Sequence, residues 1–169
     1  EYLRQCVEMS LRRLKVDRID LYQLHRIDPT VPLAESLGAL RELQRAGKIR
    51  HIGLSEVSVS EIVRARKSAR IVSVQNLYNL GNRQSEAVVD YCTEHQLGFI
   101  PWFPLAAGRI TRTRGRLART AGQHGVTVSQ LALAWLLHRS PVILPIPGTS
   151  SVVHLRENVG SAAVRLSEE

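Results

Sequence analysis

The sequence predicts an α/β fold built on parallel strands. Three observations predict it. Short apolar runs alternate with amphipathic stretches of helical period along the whole chain. The apolar runs start roughly 20 to 45 residues apart, a spacing that suits βαβ crossovers rather than hairpins. Each run then ends in polar or unusual residues, as a barrel with its site at one rim requires.

Each element has its own justification. Tyr2–Leu14 is a helix, because Leu3, Val7, Leu11 and Leu14 fall on one stripe. Residues 19–25 form a short, densely apolar strand ending on His25, and Asp28-Pro29 stops it. The next helix starts near Pro32, whose missing N–H is not needed at a first helical position. Leu33, Leu37, Leu40 and Leu43 make its inner side, and Gly47 suits a left-handed cap. Residues 51–55 are the second strand. Ser58-Val59-Ser60-Glu61 reads as a capping box opening a helix with Ile62, Val63, Ala65 and Ala69. Residues 71–76 are the third strand, and residues 85–95 a helix with Val88, Tyr91 and Cys92 near one side. The fourth strand, residues 99–103, must turn to loop at once, because Pro101 and Pro104 cannot sit in mid-ladder. Residues 116–124 are helical and end at Gly125. Thr127-Val128-Ser129-Gln130 is a second capping box, opening a helix over 128–138 that is apolar on most faces. Residues 142–146 are the fifth strand, and Gly148-Thr149-Ser150-Ser151 leads into a last helix over 152–163. No repeat or low-complexity linker divides the chain, so residues 1–169 are expected to form one domain.

Composition narrows the function classes. With 44% hydrophobic and 22% charged residues, the chain has a soluble globular profile. No apolar run approaches the roughly 20 residues of a membrane span, and no signal-peptide pattern stands at the start. Cys6 and Cys92 lie far apart on predicted helices and form no Cys-x-x-Cys pair, which points to a reduced cytosol and buried thiols. The net charge of +8 comes almost wholly from arginines, spread over most of the predicted helices. Their one cluster, residues 109–119, lies in a Thr/Gly-rich loop without interleaved aromatics, which argues against nucleic acid. A solvated face or an anionic cofactor explains the charge better. His51, His95, His124 and His138 show no metal-ligand spacing, so no metal is expected.

The candidate site residues are those at the strand ends. They are His25, Ser55-Glu56, Gln75-Asn76, Trp102 to Leu105, and Gly148-Thr149-Ser150. In a parallel sheet covered by helices, ligands meet the carboxyl ends of strands. Each residue also has a plain structural reading. A strand-end histidine is often only hydrogen bonded. Trp102 serves equally as core packing, Gln75 as a structural hydrogen bonder and Ser150 as a helix cap.

Five segments together resemble the aldo-keto reductase superfamily. They are Asp20-Leu21-Tyr22-Gln23-Leu24-His25, Gly47-Lys48-Ile49-Arg50-His51-Ile52-Gly53-Leu54-Ser55, Val74-Gln75-Asn76-Leu77-Tyr78-Asn79, Pro101-Trp102-Phe103-Pro104-Leu105-Ala106-Ala107-Gly108 and Pro145-Ile146-Pro147-Gly148-Thr149-Ser150. The resemblance covers essentially the whole chain in the family's order. The Trp-Phe-Pro-Leu and Gly-Thr-Ser forms look like the bacterial branch that also resembles potassium-channel β subunits.

This resemblance implies a TIM-type (β/α)8 barrel, present here as a partial barrel of about five parallel strands, the fourth to eighth. It implies an NADP(H)-dependent oxidoreductase that reduces small-molecule carbonyls by hydride transfer from nicotinamide C4. The family's catalytic group is Tyr, Lys, Asp and His. Only His25 matches, in the role of orienting the carbonyl oxygen; Tyr22 and Tyr78 stand in the wrong motifs. The chain is therefore expected to be the C-terminal part of an aldo-keto reductase, ending early at residues 166–169, and inactive alone for want of the tyrosine acid. Ser55 and Gln75 match positions that hydrogen-bond the nicotinamide carboxamide; Glu56 replaces the usual Asn. Trp102 matches the aromatic stacked on the nicotinamide ring, with Pro104 and Leu105 in the loop near the pyrophosphate. Gly148, Thr149 and Ser150 open a helix whose N–H groups favour an anion, and there, with His154, the adenosine 2′-phosphate is expected. Glu157 and Asn158 match adenine-side contacts. NADP is preferred over NAD.

Two other classes fit the same residues. One is a non-catalytic nucleotide-binding or regulatory protein of the β-subunit kind. The other is a remnant that does not fold alone, since an opened barrel leaves sheet edges that invite self-association.

Overall fold

The structure, a computed structural model, describes residues 1–108 and 115–166. Most of the predicted arginine cluster, residues 109–114, lies outside the described residues, as do residues 167–169. The chain divides into two compact units, Glu1–Gln75 and Asn76–Glu169.

The first unit alternates helix and strand: α1 Tyr2–Leu14, β1 Ile19–Leu24, α2 Leu33–Arg45, β2 Ile49–Ser55, α3 Val59–Arg66 and β3 Ile71–Gln75. Strands β1, β2 and β3 pair in parallel in that order. The helices form where the apolar stripes predict them. Val7 and Leu11 of α1, and Leu33, Leu37, Leu40 and Leu43 of α2, are buried. Pro32 stands as the N-cap of α2, one place before the expected first helical position, and Gly47 takes the left-handed conformation at φ +75°. The α3 capping box closes in both directions: Ser58 Oγ accepts from the Glu61 N–H, and the Glu61 carboxylate accepts from the Ser58 N–H at 2.7 Å. That backbone bond holds the Glu61 carboxyl below its usual range. Ion pairs Arg4–Glu42 and Lys48–Glu8 tie α1 to the α2–β2 region.

Register decides which residues share a face. Gln23, Gly53 and Ser73 stand side by side across the three strands, and Leu24, Leu54 and Val74 form the next row on the opposite face. The second row is buried. In the first row, Gln23 Nε2 donates to Ser73 Oγ at 3.4 Å. A Cβ on Gly53 would come within 2.4 Å of that hydroxyl and 2.9 Å of Gln23 Cγ, so this row closes only over a glycine.

The second unit holds α4 Glu86–Glu94, β4 Gly98–Phe99, α5 Arg116–Gln123, α6 Val128–Arg139 and α7 Val152–Gly160. Its core is Tyr78, Val88, Val89, Cys92, Phe99 and the inner residues of α6, including Leu133 and Leu136. The Thr127–Gln130 capping box also closes both ways. The expected fourth strand shrinks to two residues, because Pro101 has no N–H to continue the ladder; Trp102 then bridges Leu77 alone.

The expected fifth strand over 142–146 is not a strand. It makes one parallel bridge, Phe99 to Ile143, with Phe99 N to Val142 O and Leu144 N to Phe99 O both at 2.8 Å. Pro145 and Pro147 remove the donors that would extend it. The last helix ends at Gly160 and finishes as a 3-10 turn, Ser161–Ala163. No helix among the described residues is long and apolar enough to cross a membrane.

Replacing Gly53 by Ala is expected to lower the unfolding free energy by about 1 kcal/mol in a denaturant titration. In a Ser73→Ala background, where the obstructing hydroxyl is gone, the loss should fall by about half. Equal losses in both backgrounds would contradict the close packing of that row.

Candidate functional site

In the first unit the strand ends gather three of the expected site residues. Ser55 pairs in register with Gln75, and His25 follows Leu24, whose partner is Leu54. Ser55 is buried, Gln75 is half-buried and His25 is exposed. Glu56 leaves the strand with φ +54°, and its N–H donates to the Gln75 carbonyl at 2.9 Å. Glutamate is a poor occupant of that left-handed geometry, which Asn tolerates better. Arg26 belongs to no motif that the sequence displays. Its Nη1 donates to the His25 carbonyl at 2.8 Å and to Ser55 Oγ at 3.4 Å, so one guanidinium joins two strand ends. Beyond it, Asp28 accepts from the Thr30 N–H and hydroxyl at 2.8 and 2.6 Å, which closes the turn and lowers the Asp28 pKa.

In the second unit a pocket of about 530 Å³ opens beside α7. Its wall contains Pro104, Leu105, Gly148, Thr149, His154, Glu157 and Asn158, all expected from the sequence. Trp102 and Ser150 are not in the wall. Trp102 is half-buried and tilted against Phe103, with ring centroids 5.7 Å apart. Ser150 is exposed, and the α7 cap is the next residue: Ser151 Oγ accepts from the His154 N–H at 3.4 Å, and Thr149 Oγ1 accepts from the Ser151 N–H at 3.1 Å. Thr149 and Ser151 thus shape the entry to the helix. Among the described residues, the ionisable groups of the wall are His154 and Glu157.

Phe103, part of the expected run 102–105, lines the pocket too, and four further wall residues were not singled out as site residues: Gly108, Ser129, Ile146 and Pro147. Gly108 and Ser129 lie within segments already singled out, so adjacency to the motifs was the available signal. Phe103 is set by its backbone, φ +61°, and no property of its side chain announces that.

Behind the pocket loop lies a tightly held segment. Tyr78 is fully buried, stacked on Trp135 at 5.6 Å and edge-on to Phe99 at 5.8 Å. Its hydroxyl donates to Glu86 Oε2 at 2.8 Å, and Glu86 Oε1 accepts from Arg139 Nε at 2.7 Å. Arg139 also pairs with Asp90, and the two carboxylates raise its pKa. Burial, then the Glu86 carboxylate, pushes the Tyr78 hydroxyl up to about 12.

Parallel strands alternating with helices define an α/β protein of the parallel class. The chain belongs to the aldo/keto reductase family, whose model matches residues 1–169. It is 50% identical over its whole length to an uncharacterized oxidoreductase of Schizosaccharomyces pombe, covering 55% of that protein. It is 42% identical to the pyridoxine 4-dehydrogenase of Escherichia coli, over 99% of this chain and 60% of that one. Among solved structures, a thermostable aldo-keto reductase with the inhibitor epalrestat matches with a TM-score of 0.91, at 32% identity, over 98% of this chain and 62% of that one. An aldo/keto reductase from Klebsiella pneumoniae in complex with NADP and acetate matches with a TM-score of 0.89, at 32% identity, over 98% and 61%. The fold is thus the parallel α/β fold of the aldo-keto reductase barrels, and the chain spans somewhat more than half the length of these relatives.

The raised Tyr78 pKa has a consequence for stability. The folded state holds the proton more tightly than the unfolded chain, whose tyrosine titrates near 10. The contribution is fully present below pH 10 and is lost as pH rises toward about 12. The stability gap between wild type and Tyr78→Phe, from urea titrations, should therefore narrow between pH 10 and 12. A gap that stays constant over that interval would contradict the assignment.

Proposed function

We propose that this chain carries the cofactor-binding part of an NADP(H)-dependent aldo-keto reductase acting on small carbonyl compounds. The observation that carries the reading is the second-unit pocket, whose wall is made largely of the residues that match the family's phosphate and adenine positions. The donor set suits a nucleotide. Backbone at Gly148 and Thr149, the first turn of α7 and the His154 ring can take a phosphate, while Glu157 and Asn158 offer an acceptor and an amide to a purine edge. Aldo/keto reductases of Klebsiella pneumoniae with NADP or NADPH bound, at 32% identity, support the same choice.

The roles divide by residue. His154, with Gly148 and Thr149, takes the 2′-phosphate, which favours NADP over NAD; Ser150, expected beside them, stands outside the pocket wall and is left out of that set. Pro104 and Leu105 border the pyrophosphate, and Trp102 stacks on the nicotinamide. Ser55 and Gln75 hold the carboxamide, since a hydroxyl and an amide match a group that both donates and accepts. His25 orients the carbonyl oxygen of the substrate by a hydrogen bond. When bound, the reduced cofactor supplies the hydride. A general acid for the carbonyl oxygen is a different matter. Tyr78 is spent on Glu86 and is fully buried, so it cannot serve.

Three outcomes test this reading on the purified 169-residue chain. NADPH should quench its tryptophan fluorescence, and Trp102→Phe should remove most of the quenching, leaving Trp135 as the residual emitter. Equal quenching in the variant would contradict the stacking role. His154→Arg should tighten NADPH several-fold and leave NADH nearly unchanged, because a guanidinium grips a phosphate in bidentate fashion. Equal gains for both cofactors would remove the 2′-phosphate assignment. Carbonyl-dependent NADPH oxidation should be negligible, and brisk turnover would require another acid.

A further inference from the structure

Two non-glycine residues of the pocket loop adopt left-handed backbone. Phe103 has φ +61° and Ala106 has φ +48°, and such geometry costs about 1 kcal/mol or more per residue. A loop holds such a shape only when something outside it over-determines the backbone. Within the loop, the Ala106 N–H donates to the Phe103 carbonyl at 3.0 Å and the Gly108 N–H to the Leu105 carbonyl at 2.9 Å. Asn79 supplies a contact from outside. Its Nδ2 donates to the same Phe103 carbonyl at 3.0 Å.

Asn79 is itself fixed. It is only 2% exposed. Its Oδ1 accepts from the Gly81 N–H at 2.9 Å, and its backbone exchanges two 3.0 Å hydrogen bonds with Asn82. The residue before it, Tyr78, is wedged between Trp135 and Phe99. Leu77 bridges Trp102, whose N–H donates to the Asn76 carbonyl at 3.1 Å. Asn79 therefore transmits a rigid segment onto the carbonyl about which the pocket loop turns. Phe103, Pro104, Leu105 and Gly108 of that loop all line the pocket.

We infer that Asn79 is a positioning residue for the nucleotide pocket: its side-chain amide clamps the Phe103 carbonyl and so holds the left-handed turn that presents residues 103–105 to the ligand. The inference rests on the nucleotide reading of the pocket. Asn79 touches neither cofactor nor substrate; it acts through Phe103.

Asn79→Asp keeps the shape and the acceptor for Gly81 but loses the donor. Asn79→Ser, too short to reach, is made beside it in case a buried carboxylate unfolds the unit. Amide hydrogen exchange of Ala106 and Gly108 should accelerate about tenfold or more in these variants, with α6 unchanged. NADPH binding should weaken about tenfold. In a Phe103→Gly background, where the left-handed turn has no steric penalty, the same Asn79 substitutions should weaken NADPH binding less than threefold. A purely structural asparagine would give the same loss in both backgrounds, and that result overturns the inference. So does unchanged exchange at Ala106 and Gly108, or a loosened loop with NADPH affinity intact. If the wild-type chain binds no NADPH while the variants still loosen the loop, the clamp stands and the nucleotide reading falls.

Discussion

The hydrogen bond from the buried Tyr78 hydroxyl to the half-exposed Glu86 carboxylate anchors the second unit. Removing the carboxylate would leave the buried hydroxyl without its acceptor, whereas removing the hydroxyl leaves Glu86 still paired with Arg139 and partly in solvent. Glu86 is in turn held by Arg139, whose second contact is Asp90, so the tyrosine ends a chain of charges that runs back to the helices. The ring fills the space between Trp135 and Phe99. With both ends of Tyr78 fixed, its neighbours Leu77 and Asn79 have little freedom, and these are the residues that touch Trp102 and the Phe103 carbonyl. The pocket loop inherits its shape from this segment.

The first unit solves a related problem by register. Parallel pairing puts Ser55 beside Gln75 and brings His25 to the same end, so three polar groups separated widely in sequence become neighbours without any loop. The row beneath them, Gln23, Gly53 and Ser73, is polar and closely packed, whereas the opposite face carries Leu24, Leu54 and Val74. That division is what a barrel strand shows when helices cover one side. Arg26 spans the strand ends and adds a positive charge beside His25. In the function we propose, these strand ends serve the hydride transfer, and the second-unit pocket takes the phosphate and adenine.

Much of the fold was legible in the sequence because it is local. Both capping boxes close as the Ser58–Glu61 and Thr127–Gln130 spacings require, and the leucine stripe of α2 is buried where the period of 3.6 places it. The failures are also physical. Residues 142–146 look like a strand by apolarity, but Pro145 and Pro147 leave a single bridge. Ser150 and Ser151 are equally good caps by composition, and only the backbone geometry selects Ser151. The left-handed Phe103 could not be read at all, because it depends on an amide 24 residues earlier in the chain. The wall residues Ile146 and Pro147 come from a stretch whose apolarity suggests a strand rather than a pocket lining.

On the proposed function, the pocket beside α7 grips the phosphate-bearing end of a dinucleotide. The most direct measurement is a titration of the isotope-labelled chain with 2′,5′-ADP, followed through its amide resonances. Binding in that pocket predicts saturable shifts at Gly148, Thr149, His154 and Asn158, with 5′-AMP giving weaker ones at the same amides. Shifts confined to other surfaces, or identical responses to both nucleotides, would contradict it.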